Sequence, residues 1–395
     1  MIQFDQKKFF SYALIIFILL VTAGSNVLTT SKGFLIGGWV LFTGVYFFTE
    51  KFLRPKFLGL VGIFVGISAL YLLLNGAYNG ITYIGFFFNV SLAYYCRDYI
   101  KGEFYTYFVN IIYVSACISL VMFPLQLLNF DLMYSLNNLM GFSGEGDFAK
   151  SNSFVFTITP IHVIRNAGFA WEPGGFATIL TMTFFINLFN LGEPLTSKRN
   201  IVFFIAIVTT QSTMGLLSML IPFSLVLRDF IMQNRTYQQL SVVIIPMVFI
   251  VVASLFTQVD FLYTKMAKEI TELDTEMSEV EQASIGRQAI AVSRSMSVTL
   301  DMKTIKKYPL FGLGVDFRTT GLSKLGYDEN LMTACGTTAL LMRFGFFGFF
   351  FYNFLLFRFA DFDATLNKIA WVLLINYALF SQEVSATPYY HLFIF

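Results

Sequence analysis

The stretch LGLVGIFVGISALYLLL, residues 58–74, carries no charged side chain over seventeen consecutive positions. As a helix it would be about 26 Å long, close to the thickness of a bilayer's hydrocarbon core. A second run, YALIIFILLVTAG at 12–24, has the same character. Around them the whole 395-residue chain is apolar: hydrophobic residues make up 56% and charged residues 13%, and mean hydropathy is +0.68. A soluble domain carries about 25% charged residues, so this chain has too little polar surface to cover a water-soluble globule. The strand alternation of an outer-membrane barrel is absent, and helices are then the remaining way to satisfy backbone groups in lipid. The expectation is an all-α polytopic membrane protein forming a single integral membrane domain over 1–395.

Apolar runs set against polar breaks give about eleven spans, near 9–26, 33–48, 57–75, 80–96, 106–128, 173–191, 199–211, 214–230, 239–257, 333–357 and 368–382. The first follows Lys7 and Lys8 like a signal peptide; the many later spans make it an uncleaved start helix. With the N-terminus inside, the inside segments hold Lys7, Lys8, Lys51, Arg54, Lys56, Arg97, Lys101, Lys198, Arg199, Arg228, Arg235, Arg358 and Lys368. The short outside connections hold only Lys32. That is the asymmetry of the positive-inside rule, and it puts two long connections outside, 129–172 and 258–332. Connections of that length are usually functional or disordered.

The first long loop carries GFSGEGDFAKSNSF at 141–154. The second opens with DFLYTKMAKEITELDTEMSEVEQ at 260–282, whose spacing suits an amphipathic helix on the membrane surface; the plainer reading is a solvated helix covering a loop. Arg287, Arg294, Lys303, Lys306 and Lys307 follow, so positive charge gathers where an anionic group carried by a lipid would be held. Cys96, Cys117 and Cys335 lie in or beside apolar runs, as buried small side chains would. The two histidines are far apart and no metal-ligand spacing is present, so no metal and no cofactor are expected.

Between the first long loop and the next apolar run stands RNAGFAWEPGGFA, residues 165–177. Pro173 disfavours helix at Glu172 and suits the first turn of the helix that follows. Glu172 then sits at a helix N-terminus, where the dipole favours its ionised form. Arg165, Gly168 and Glu172 follow i, i+3, i+7 spacing, which on a helical turn would place cation and carboxylate on one face with Gly168 removing bulk between them. The plain alternative is a capping Glu beside an interfacial Arg. A cation, a carboxylate and a helix N-terminus at the mouth of a bundle suit phosphate binding and deprotonation of a hydroxyl.

These residues resemble the R-x-x-G-x-x-x-E-P signature of the O-antigen polymerase (Wzy-type) and O-antigen ligase superfamily. Three further pieces resemble that superfamily in order: TTQSTMGLLSML at 209–220, SIGRQAIAVSRSMSVTLDMKTIKKYPLFGLGVD at 284–316, and LLMRFGFFGFFFYNF at 340–354. The resemblance covers roughly 120–358; the first spans match only in hydropathy. Members often carry His-Asn before the first glycine of the late helix, where this chain reads TACGTTALLMRFG without histidine. That departure, together with the Glu-Pro, favours the polymerase over the ligase. Arg343 stands where the family commonly has an acid or a neutral residue, and as an ionisable group in a span it is a functional candidate; the plain reading is a snorkelling or internally paired Arg.

The resemblance implies a GT-C-like, inverting, metal-independent glycosyltransferase of the bacterial inner membrane, working at the periplasmic face. Its substrates would be two undecaprenyl-diphosphate-linked oligosaccharides, donor and acceptor, with a chain-length regulator protein as a further partner and no nucleic acid. Arg165 and Arg287 are assigned to the diphosphate, since the guanidinium fork stabilises such a leaving group without a metal. Glu172 is the base or acceptor-positioning group. Arg294, Arg343, His162 and Gly168 are second-rank substrate-binding residues, and for His162 an interfacial polar role is the plainer reading. The alternatives are an O-antigen ligase and, from another class, a lipid-linked oligosaccharide flippase, although no internal repeat is visible. Asp361-Phe362-Asp363 mimics a nucleotide-sugar DxD triplet, but it sits in a short inside loop and reads as a solvated turn.

Overall fold

A computed structural model describes residues 5–23, 32–49, 55–75, 80–140, 142–143, 151–158, 160–233, 294–315, 335–381 and 387–395. Helices run as α1 (Gln6–Ala23), α2 (Lys32–Thr49), α3 (Pro55–Asn75), α4 (Gly80–Ile100), α5 (Phe104–Leu128), α6 (Phe130–Met140), α7 (Pro173–Phe189), α8 (Lys198–Thr209), α9 (Thr213–Ser218), α10 (Leu220–Met232), α11 (Arg294–Lys307), α12 (Gly336–Phe359), α13 (Thr365–Ser381) and α14 (Pro388–His391). A three-stranded antiparallel ribbon, β1 (Phe142–Ser143), β2 (Ser151–Ser153) and β3 (Phe156–Ile158), is the exception to the all-helical expectation. Helices occupy every range expected to span except 239–257, which lies outside the described residues, as do the proposed surface helix at 260–282 and Arg287. Four described stretches are long and apolar enough to cross a membrane: Pro55–Leu73, Gly80–Leu128, Thr213–Met232 and Gly336–Phe359.

The bundle is built round α7, whose residues from Pro173 to Leu188 are all buried. A helix with no polar face must be enclosed on every side, and α5, α8, α9 and α13 do this. Thr181 and Thr183 return their hydroxyls to their own helix, Thr181 to Ala177 O at 2.8 Å and Thr183 to Ile179 O at 2.7 Å, which satisfies both donors inside the bundle. The outer helices do the opposite. On α3, Ile63, Val65, Leu72 and Leu73 are all exposed, a surface that suits hydrocarbon and not water.

Helix contacts distinguish the two ends of the bundle. Asn110 near the start of α5 bonds Tyr12 of α1 at 3.2 Å and accepts from Arg199 at the start of α8 at 2.9 Å. Tyr46, late in α2, donates to Asp98, late in α4, at 2.7 Å. Arg97 lies over the Phe104 and Tyr105 rings at 4.6 and 4.9 Å. Lys7, Lys8, Arg97, Lys101, Lys198 and Arg199 therefore gather at one end. The start of α7 lies at the other.

Two parts of the chain differ from the hydropathy reading. Residues 129–172 are not a plain loop: α6 and the ribbon pack on the end of α5, with Phe123, Met133, Phe156 and Ile158 forming a small core of their own. The expected spans stop at 382, yet residues 388–394 are buried inside the bundle. There Phe393 packs against Trp371, Phe104 and Phe108, and Tyr390 O accepts from Tyr352 Oη at 2.9 Å. A short run of aromatics after a polar break offers no hydropathy window, so the pattern could not place it.

Candidate functional site

The segment 163–172 is a series of turns, not a helix. Gly168 has φ +51°, and a Cβ there would stand 2.4 Å from the Phe176 ring of α7. The i, i+3, i+7 spacing therefore does not put Arg165 and Glu172 on one helical face, because the backbone between them turns through a left-handed residue. Gly168 serves instead to bring the segment down onto the first turn of α7.

That segment is stitched to the TTQST turn between α8 and α9. Asn166, fully buried, carries most of the stitching. Its backbone N–H donates to Thr209 O at 3.0 Å. Its side-chain amide donates to Ser119 Oγ of α5 at 3.1 Å and Thr209 Oγ1 at 3.0 Å, and its Oδ1 accepts from Gly168 N at 2.9 Å. Gln126 donates to Val163 O at 2.6 Å and Gln211 to Ile164 O at 3.0 Å. Gly168 O accepts from Thr157 N of β3 at 2.6 Å. The turn is itself held by Ser212, whose hydroxyl caps α9 through Gly215 N, and a Cβ on Gly215 would meet Ala177 of α7 at 2.5 Å. Two stretches some forty residues apart in sequence thus form one layer over the start of α7.

Arg165 is half-buried in this layer, and its Nε donates to Thr210 O at 3.1 Å. That bond uses one of five guanidinium donors and fixes the plane of the fork. Glu172 is half-buried and occupies the N-cap of α7 in an extended conformation, with Pro173 at the first helical position, as the Glu-Pro pair predicts. Its carboxylate makes no capping hydrogen bond, so the plain capping role does not describe it. His162 is part-buried, one turn earlier in a 3-10 turn, and its carbonyl accepts from Arg165 N at 3.1 Å. About 24 Å of α5 separates Asn110, at the basic end, from Gln126, under this layer.

A second junction joins the other two sequence motifs. Residues 309–314 cross α12 where Gly345, at φ +62°, breaks the helix. Leu313 N and Gly314 N donate to Met342 O and Arg343 O at 2.7 and 2.8 Å, and Phe346 N and Phe347 N donate to Pro309 O and Leu310 O at 2.8 and 3.1 Å. A broken helix inside a bundle exposes backbone groups that must find partners; the crossing loop supplies them. Tyr71 Oη donates to Phe311 O from α3. Arg343 sits buried in the last turn before the break, where the negative end of the half-helix favours a cation. It is close enough to His391 to act on it electrostatically. Among the described residues, neither ring nitrogen of that buried imidazole has a protein hydrogen-bond partner. Arg294 begins α11, and Arg287 lies outside the described residues.

Asn166 and His391 are the residues that sequence reasoning passed over. An Asn two places before a Gly is a turn signal of known mechanism, so Asn166 was open to detection; His391 carried no signal. Among the described residues no three His, Cys, Asp or Glu side chains come together as a metal cluster. Among the described residues, two surface depressions lie elsewhere, one of about 930 Å³ beside Asp5, Lys7 and Tyr99 and one of about 720 Å³ between α1 and α2. The chemistry of the motif layer, and not cavity size, marks the candidate site.

Compared with models of known protein families and with curated protein sequences, the chain matches none.

The stitching makes a direct prediction. Asn166→Ala removes two donors and one acceptor from a buried site, and each abandoned partner costs about 1–3 kcal/mol. We expect a clear fall in the thermal unfolding midpoint of purified protein, with surface substitutions such as Lys198→Ala unchanged. An unshifted midpoint would show that Asn166 does not hold the layer together.

Proposed function

We propose that this protein is a polysaccharide polymerase of the bacterial inner membrane, a metal-independent glycosyltransferase that joins undecaprenyl-diphosphate-linked repeat units. In this reading the chain crosses the membrane about eleven times with its N-terminus in the cytoplasm, in a GT-C-like arrangement, and 129–172 and 258–332 face the periplasm. The observation that supports it is the motif layer. Arg165, held by its Nε, and Glu172, at the head of α7 without a capping bond, share one layer at the end of the bundle away from the basic residues.

The chemistry follows from the residue types. An acceptor hydroxyl attacks the anomeric carbon of the donor sugar while the bond from that carbon to the lipid diphosphate breaks. Glu172 takes the hydroxyl proton, and the configuration inverts. The departing diphosphate gains charge, which guanidinium forks stabilise through paired N–H donors; Arg165 and Arg287 take this role. Arg343, Arg294 and His162 support binding of the same anionic and polar groups, and Gly168 shapes the segment that carries Arg165 and Glu172.

Purified protein in vesicles, given undecaprenyl-diphosphate-linked repeat units, should form a ladder of extended products. Because side-chain cations serve the diphosphate, the ladder should persist in excess chelator. Strict dependence on magnesium or manganese would overturn the metal-independent mechanism and direct attention to Asp361 and Asp363.

A further inference from the structure

Helix α6 follows α5 after a single non-helical residue, Asn129. With 100° per residue, its eleven positions divide into three sides. Met133 and Asn137 face the ribbon: Met133 is 8% exposed, and Asn137, 1% exposed, donates to Phe156 O at 3.3 Å. Centred about 110° round the helix from these, Leu132, Leu136 and Leu139 share one side and are 54%, 43% and 83% exposed. Asp131 and Ser135, also exposed, make a polar side next to it.

A leucine ridge facing water is costly, at roughly 25 cal/mol for each Å² left uncovered. Continuity indicates what covers this one. On α5 the exposed large apolar residues are Val114, Val121, Leu125, Leu127 and Leu128, and this 25-residue helix contains no charged side chain. Leu127 and Leu128 end α5 with their apolar side chains uncovered, and the ridge begins four residues after Leu128, past the non-helical Asn129, so the two uncovered apolar surfaces follow directly on one another in the chain. Nothing on the ridge is charged.

We propose that α6 lies in the plane of the membrane, with Leu132, Leu136 and Leu139 immersed among the lipids of the leaflet on the candidate site's side. A helix with one apolar side, one polar side and one side packed on protein is built for that boundary, with its apolar face about 5–10 Å into the headgroup and acyl region. The ribbon and the Pro160–Glu172 segment behind it are then held at the lipid headgroup level and do not project into the aqueous phase. The inference needs α5 to cross the bilayer; it does not depend on the transferase reading.

Single cysteines carrying a nitroxide at Leu132, Leu136 and Leu139, with controls at Asp131 and Ser135, test it in phosphatidylglycerol–phosphatidylcholine vesicles. Collisions with oxygen, which concentrates in hydrocarbon, should dominate at the three leucine positions. Collisions with a water-soluble nickel chelate should dominate at the controls, so the ratio reverses within one turn of helix. Nickel dominance at the leucines would overturn the proposal by placing the ridge in water. Poor access for both reagents would overturn it equally, by showing a protein segment over the ridge. All five positions are exposed, so labelling does not disturb the core, and none of them takes part in the proposed catalysis.

Discussion

Replacing Glu172 by glutamine is expected to abolish chain extension while leaving lipid-linked donor bound. The substitution keeps size and hydrogen-bonding groups but removes the base, and loss of a positioned general base costs about 10²–10⁴-fold. Because the amide matches the carboxylate in size and shape, the unfolding midpoint should stay near wild type. Arg165→Lys should behave differently. Lysine keeps the charge, but it lacks both the fork and the Nε that bonds Thr210 O, so donor use and turnover should fall together. Arg287→Lys should show the same pattern. In cells that build polysaccharide on a lipid A core, a polymerase lacking Glu172 leaves single repeat units on the core, because a separate ligase still transfers them. A ligase lacking it would leave long polymer on its lipid carrier and bare core. Wild-type extension by Glu172→Gln would remove the carboxylate from the mechanism.

The membrane class and the helix ranges were legible in the sequence because hydropathy is a local property. Long uncharged runs such as 58–74 have no other stable home, and helices of the described residues cover them with ends a few residues displaced. The Glu-Pro pair likewise predicts the start of α7 from local stereochemistry alone. What failed was inference across a turn. Arg165, Gly168 and Glu172 have helical spacing on paper, but the left-handed Gly168 cannot be told by type from a glycine that eases helix packing. Which motifs meet was equally hidden. Nothing in TTQST names Asn166 as its partner, since the bonds between them join main-chain groups and small polar side chains that occur everywhere. The buried 388–394 segment shows the same limit: it is enclosed by aromatic contacts made by distant helices, and its own seven residues carry no period.

Gly345→Ala is expected to cost about 2–5 kcal/mol and to disturb the junction that holds Arg343. Two terms add. A residue with a Cβ held at positive φ costs about 1–2 kcal/mol, and the new methyl would lie 2.3 Å from the Leu310 carbonyl, an overlap that forces backbone to shift at about 1–3 kcal/mol. Relief by straightening α12 is not free either. A continuous helix would reclaim Met342 O and Arg343 O for its own ladder and leave Leu313 N and Gly314 N without the acceptors they now use. In hydrocarbon such groups have no water to turn to. The variant should therefore show a lowered unfolding midpoint together with reduced extension activity. Gly62→Ala is the matched control: it lies within α3, nothing stands within 4 Å of its added Cβ, and alanine favours helix by about 1 kcal/mol, so its midpoint should hold or rise. Equal behaviour of the two variants would mean that the helix break is dispensable. A drop confined to Gly345→Ala would make the 309–314 crossing the element that fixes where Arg343 stands.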